Sequence, residues 1–349
     1  MLGLSDLSHG GEAVTIGIAD TLYMLPDEDI GDIRVGNRED FSPDGENVQN
    51  KWGHGYRILD VISSIVPNAR FHFYRLKAER HRLQRGSGLQ SSDDSEVSYT
   101  ESPSIGEGGN ARIIQCIEQA IDDGVDVLNI SAGRHHHNCG SESCVFRKHV
   151  LPAIDGGTNV VAACGNERGR RGEHVICPAL FRSTVGVGGF VNECDGYVPD
   201  TGTDDRLVAD VSDYHRIDGH EQGPFCSMGT CGTGASCDDR RRERWWNDNV
   251  RPFKGKPDLL APVHKPELQD EQNVVFIAGT SFATPIVSGA VASLRGEFPN
   301  SGPEEIRNTL VETGTEIDDE ISQSPPPVKL DAAQARQYLR QTSRTVSDE

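Results

Sequence analysis

The sequence predicts an α/β fold: a doubly wound, mostly parallel sheet flanked by helices, in a single domain with surface insertions. Apolar, β-rich runs at 14–18, 125–130, 158–163 and 273–278 have the near-continuous hydrophobicity of strands covered on both faces. Stretches with apolar residues at helical spacing lie between them, so strand and helix alternate along the chain. No long Pro/Ser-rich linker divides the 349 residues into two self-sufficient halves.

VTIGIAD at 14–20 reads as a central parallel strand that delivers Asp20 to its carboxyl edge. Residues 21–53 read as loop. After His54, the positions Ile58, Leu59, Ile62 and Ile65 recur at helical spacing until Pro67-Asn68 stops them, and ARFHFYRL at 69–76 alternates as a strand. Residues 77–109 are charged and Ser/Gly-rich, which predicts a mobile surface insertion. A helix from Asn110 carries Ile113, Ile114, Ile117 and Ala120 on one side and ends at Asp122-Asp123-Gly124. VDVLNIS at 125–131 is the next buried strand, followed by the loop HHHNCGSESC at 135–144, a short helix around 146–155, and strands at 158–164 and 183–191.

Residues 192–253 break the rhythm and hold too few apolar residues for a core of their own, so they read as a second insertion. KPDLLAPV at 256–263 and VVFIAG at 274–279 lead into GTSFATPIVSGAVASL at 279–294. That segment is a tight turn and a buried helix, with Pro285 tolerable only near the helix start. Helices at 303–312 and 331–340 finish the chain. The expected organisation is one domain over 1–335 and a C-terminal tail at 336–349.

The formal charge of −20, from 54 acidic against 34 basic residues, repels phosphate backbones and argues against a nucleic-acid partner. With 27 Arg to 7 Lys, the composition resembles that of proteins from organisms that keep concentrated salt in the cytoplasm, where salt screens such self-repulsion. Met1–Glu12 has no basic region followed by an apolar stretch, and no run reaches 18 apolar residues. A cytoplasmic protein without a membrane span is therefore expected. Of nine cysteines, Cys116, Cys164 and Cys177 read as small buried side chains. The rest lie in loop-like sequence, where Cys139/Cys144 or Cys226/Cys231/Cys237 can form local bridges. Without an export signal, reduced thiols are the expectation.

Three polar residues stand where buried elements begin or end: Asp20 closes a strand, His54 opens a helix between Gly53 and Gly55, and Ser281 opens another after Gly279 and Thr280. Such ends meet at the carboxyl edge of a parallel sheet. A serine hydroxyl needs an imidazole to take its proton and return it to the leaving group, and the imidazole needs a carboxylate to fix its tautomer and stabilise its charge. Singly, Asp20 can be a turn or cap residue and His54 a structural helix residue. Ser281, between a turn and a helix rich in small residues, is the sharper case.

With these residues in family order, the chain resembles the subtilases, the subtilisin-like serine peptidases. The resemblance rests on VTIGIAD for the aspartate, GHG at 53–55, IIQCIEQAIDDGVDVLNISAG through 133, AACGNE at 162–167, KPDLLAP at 256–262 and GTSFATP at 279–285, and covers about residues 12–300. It implies a serine endopeptidase with Asp20, His54 and Ser281 as triad and an acyl-enzyme intermediate. It further implies Asn166 and the Ser281 backbone amide as oxyanion donors, and a polypeptide substrate laid as a strand against Ser131, Ala132 and Gly133. The first specificity pocket would be lined by Ala163, Cys164 and Gly165. No cofactor is required for this chemistry; a structural calcium is possible in the acidic loops, although no contiguous calcium-loop pattern occurs. The chain departs from the family at Leu22, at HGYR where HGTH is usual, and at Val263, and Leu22 and Tyr56 are expected to crowd or reshape the relay. Secreted subtilases carry a signal peptide and a prodomain, whereas this aspartate strand begins at residue 14, which favours an intracellular member.

Two other classes compete. A non-catalytic binding or regulatory protein could keep the scaffold, and an esterase or amidase could use the same relay on small acyl substrates. The imidazoles and thiols of 135–144, and Cys226, Cys231 and Cys237, could hold zinc, but their spacing matches no strong ligand pattern. The first group reads better as a solvated loop near the cleft.

Overall fold

The computed structural model describes Leu4 and residues 13–22, 32–42, 53–76, 81–83, 98–100, 108–134, 138, 141–166, 174–194, 206–210, 241–245, 253–268, 273–317 and 325–347. In chain order its strands are β1 (Thr15–Asp20), β2 (Arg34–Asp40), β3 (Arg70–Arg75), β4 (His81–Leu83), β5 (Ser98–Thr100), β6 (Val127–Ile130), β7 (Asn159–Ala163) and β8 (Val185–Cys194). They continue with β9 (Arg206–Asp210), β10 (Arg241–Trp245), β11 (Leu259–Pro262), β12 (His264–Leu268), β13 (Asn273–Ala278) and β14 (Val328–Lys329). The helices are α1 (His54–Ile65), α2 (Gly109–Asp122), α3 (Arg147–Asp155), α4 (Thr280–Glu297), α5 (Pro303–Glu312) and α6 (Ala332–Ser347).

Nine strands form the main sheet, in the order β14-β11-β8-β7-β6-β1-β3-β2 with β10 added to β8. Every pairing is parallel except that of β10 with β8. Strand alternation sorts side chains to two layers. Ile16, Ile18, Phe71, Phe73, Val127 and Val161 face the core shared with α1, α4, α5 and α6. Ala19, Tyr74, Leu128, Ile130, Val160 and Ala162 face the core shared with α2 and α3. This is the expected doubly wound fold.

Helix α4 is buried on nearly every side from Thr280 to Leu294. Its small residues make that possible: a Cβ on Gly289 would lie 2.7 Å from Ile65 Cδ1. The helix therefore packs tightly against α1 and starts at the carboxyl edge of the sheet. The chain leaves β1 for β3 on one side and later returns to β6 on the other, so the strand order reverses at β1. The crevice of an open α/β sheet lies at such a point.

Some local readings change. Arg34–Asp40 is an edge strand rather than loop, because main-chain pairing with β3, and not an apolar pattern, holds it. Strands β12, β13 and β9 form a separate antiparallel sheet. Helix α6 runs through the boundary drawn at residue 336, since Ala332, Ala335 and Leu339 give it an apolar face that joins the core. Much of 77–109 and 192–253, with the cysteines at 226, 231 and 237, lies outside the described residues, as do His135–His137 and Cys139.

Candidate active site

Asp20 is the last residue of β1 and is buried. Its Oδ1 sits 2.8 Å from His54 Nδ1 and also accepts the Thr21 backbone N–H at 2.7 Å. Its Oδ2 is buried with no hydrogen-bond partner among the described residues. The Thr21 hydroxyl accepts the Gly55 N–H at 2.9 Å and so pins the start of α1 to the end of β1. Only glycine fits at 55, since a Cβ there would lie 2.5 Å from the Leu22 backbone nitrogen. Leu22 itself is buried in the core cluster, and Tyr56 packs partly buried against the same cluster.

Ser281 lies in the first turn of α4, and the ring of its neighbour Phe282 has its centroid 5.6 Å from that of His54. Ser281 Oγ donates to the Ser131 carbonyl at 3.1 Å, and Ser131 Oγ donates to the Ser281 carbonyl at 3.1 Å. This reciprocal pair joins the end of β6 to the start of α4. Beneath it, Asn129 donates to Ser131 Oγ at 3.0 Å and accepts from Ser288 Oγ at 2.9 Å, all in buried surroundings. Asn129 and Ser288 therefore position the pair without reaching the surface.

Asn166 follows β7. Its Oδ1 accepts both the backbone N–H of Thr280, at 2.9 Å, and the Thr280 hydroxyl, at 2.7 Å. With the carbonyl end fixed, the amide nitrogen is turned toward the Gly279 side, where a Cβ would lie 3.2 Å from Nδ2. The Ser281 N–H is in the first turn of α4, where donors lack intrahelical partners and the helix dipole favours negative charge. The Asn166 amide and the Ser281 N–H thus both lie near the start of α4.

Segments 131–133 and 163–165 end neighbouring parallel strands. Ser131, Ala163 and Cys164 are buried, whereas Ala132, Gly133 and Gly165 are half-buried. Cys164 points into the core beside α2 and α3, where burial pushes its thiol pKa well up, so it offers main chain rather than side chain to a pocket. Gly165 has φ 107°, a conformation suited to glycine. The sequence reading missed Thr21, Thr280, Asn129 and Ser288. The hydroxyls of Thr21 and Thr280 adjoin residues already singled out, but Asn129 and Ser288 give no local signal. Among the described residues no group of three or more His, Cys, Asp or Glu could hold a metal ion. No helix there is long and apolar enough to cross a membrane.

Residues 11–337 match the subtilase family. The chain belongs to that family. This subtilase is 24% identical to Subtilisin DY of Bacillus licheniformis over 93% of its own length and 92% of the relative's. It is 25% identical to the nisin leader peptide-processing serine protease of Lactococcus lactis subsp. lactis over 89% of its length, spanning 44% of that protein. In structure it resembles a point mutant of the PatA protease domain, with TM-score 0.59 and 16% identity over 96% of this chain and 98% of that one. It also resembles the prenylagaramide maturation protease PagA, with TM-score 0.58 and 17% identity over 96% of each chain. The fold and family place it among the serine proteases of the subtilase clan.

The expectation of a cytoplasmic enzyme is overturned, because the subtilisin and nisin-peptidase relatives are secreted or extracellular proteases. That expectation rested on the lack of a targeting stretch in Met1–Glu12. Targeting segments are removed from mature chains and take no part in the fold, so their lack does not fix location.

Proposed function

We propose that this subtilase is a serine endopeptidase that cleaves peptide bonds through an acyl-enzyme formed on Ser281. The observation that carries the reading is the buried carboxylate–imidazole contact of Asp20 and His54, with the His54 ring centroid 5.6 Å from that of Phe282, the chain neighbour of Ser281 in the first turn of α4. In this mechanism His54 Nδ1–H donates to Asp20 Oδ1, which leaves Nε2 to take the Ser281 proton as Oγ attacks the carbonyl carbon. The bond to the Ser131 carbonyl breaks as the hydroxyl turns; hydrogen bonds of this kind are often loose before substrate binds. The oxyanion takes the Asn166 amide and the Ser281 N–H, His54 protonates the leaving amine, and water then reverses the sequence to release the acid. All charge is handled by these groups, so the chemistry needs no cofactor; a structural calcium would act on stability alone.

The substrate is a polypeptide that adds a strand along Ser131, Ala132 and Gly133, with side-chain selection beside Ala163, Cys164 and Gly165. That main-chain recognition favours a peptide over a small ester. The acid surplus supports salt adaptation, so activity should be kept in molar salt. One observation favours a catalytically impaired binding protein instead: Ser281 Oγ is engaged by the Ser131 carbonyl. Labelling with a fluorophosphonate probe in molar salt and in dilute buffer, followed by peptide mapping, decides between them. We expect label on Ser281 and none in Ser281→Ala or His54→Ala. Folded wild type that stays unlabelled in both salts would mean a blocked, zymogen-like or dead site and make the binding protein the better reading.

A further inference from the structure

We propose that Cys144 and Cys177 are a disulfide site that braces the walls of the substrate cleft. The two sulfurs lie 3.7 Å apart although the residues are 33 positions apart in sequence, and both residues are buried. A disulfide has an S–S length of about 2.05 Å, so the two sulfurs must approach by about 1.6 Å to bond. Two further buried thiols, Cys116 and Cys164, belong to this core, and Cys116 faces the Tyr74 carbonyl at 3.8 Å. Local sequence distance pairs Cys144 with Cys139, whereas the fold turns Cys144 inward, where its backbone N–H donates to the Ser141 carbonyl and its own carbonyl accepts the Arg147 N–H at the start of α3.

What Cys177 holds gives the bridge its consequence. Its backbone exchanges both hydrogen bonds with Arg134, at 3.0 and 3.2 Å, immediately after segment 131–133. Its neighbour Ile176 donates to the Cys164 carbonyl at 3.2 Å, within segment 163–165, and lies against Gly133, where a Cβ would meet Ile176 Cδ1 at 2.5 Å. One short segment therefore touches both strand ends of the cleft, and a bridge to Cys144 would tie it to α3. The bracing stands whether or not Ser281 is active.

With glutathione disulfide as oxidant, one cysteine thiolate attacks a glutathione sulfur to give a mixed disulfide and release a glutathione thiolate. The second cysteine then attacks the mixed disulfide and releases the other. The protein loses two electrons, glutathione disulfide gains them, and the two thiol protons end on the two glutathione molecules. Because both sulfurs are buried, the exchange runs during folding.

The test is to refold the full chain in a buffer of oxidised and reduced glutathione, alkylate it under denaturing conditions without reductant, and map the peptides. We expect a Cys144–Cys177 cross-linked peptide that disappears on treatment with dithiothreitol. We also expect an oxidised form that melts about 5 °C above the reduced one, as the closed loop restricts the unfolded chain. Hydrogen exchange at the Arg134 and Cys177 amides should slow in the oxidised form. The Cys144→Ser protein should lose the cross-link and the melting difference, and Cys144→Ala serves if the serine fails to fold. Protein with a folded circular-dichroism spectrum in which Cys144 and Cys177 are both alkylated overturns the proposal, as does a bridge from Cys144 to Cys139.

Discussion

Two buried aspartates, Asp20 and Asp258, are treated in opposite ways. Both Asp258 oxygens are occupied: Oδ1 by Arg307, and Oδ2 by Lys256 and by the Gly186 N–H at 2.7 Å. Lys256 is itself buried, donates also to the Thr184 carbonyl, and sits between β8 and β11. Burial lowers its pKa, and Asp258 works against that shift. At Asp20, among the described residues, Oδ1 is engaged while Oδ2 lies buried without a donor. A fully satisfied buried carboxylate contributes rigidity, whereas one left short of donors holds negative charge with little to share it. That is useful only where a positive charge is due to form nearby, as it is on His54 in the proposed mechanism. The difference separates a structural anchor from a candidate catalytic group, though both lie in motifs that carry the family resemblance, VTIGIAD and KPDLLAP.

Substituting each carboxylate tests that separation. If Asp20 is the triad carboxylate proposed above, Asp20→Asn should lower kcat for a peptide substrate on the order of 10⁴-fold, a magnitude borrowed from the triad aspartate of subtilisin. It should leave the urea midpoint nearly unchanged, since Oδ1 can still accept. A variant that lost stability instead of rate would place Asp20 with the anchors. Asp258→Asn should do the reverse. It leaves the buried Lys256 without its countercharge and should reduce unfolding free energy by about 3–5 kcal/mol, read by urea denaturation, with peptide turnover at low temperature largely kept.

Asp123 gives the smallest effect and sharpens the comparison. Burial would raise its pKa, but Tyr74 Oη at 2.7 Å, Asn37, His72 and Gln119 surround it and hold the carboxyl below its usual range. Because it ionises at lower pH in the folded state than in the unfolded chain, its contribution is complete above about pH 4 and fades as pH falls through the native value. Asp123→Asn should therefore reduce stability by about 1–2 kcal/mol at pH 7 and flatten the acid limb of the stability–pH curve. An unchanged acid limb would show that these donors do not hold the charge.

The legible parts of the fold are those with a local signature. Strand β1 announces itself by an unbroken apolar run ending at Asp20, and α4 by small residues after a Gly-Thr turn. Strand β2 does not, because RVGNRED has no alternation and is held by pairing with β3. At the candidate site, Asp20, His54 and Ser281 can be named because each stands at or near the end of a buried element, and Asn166 through the family resemblance. Asn129 and Ser288 cannot, since their bond at 2.9 Å joins positions 159 residues apart. Cys144 reads as a loop residue for the same reason, its neighbour Cys177 being remote in sequence.

The sequence by itself determined the alternation of strand and helix, the family, and which residue types stand at the ends of buried elements. Periodicity and turn chemistry are local properties, written within a few residues of each other. The tertiary structure alone decided which of those ends meet, which carboxylate is left short of donors, which hydroxyl fixes the Asn166 amide, and which thiol faces Cys177. These depend on packing between segments far apart in the chain, where a hydrogen bond or a sulfur contact is set by the position of whole strands and helices, and no short stretch of sequence contains that information.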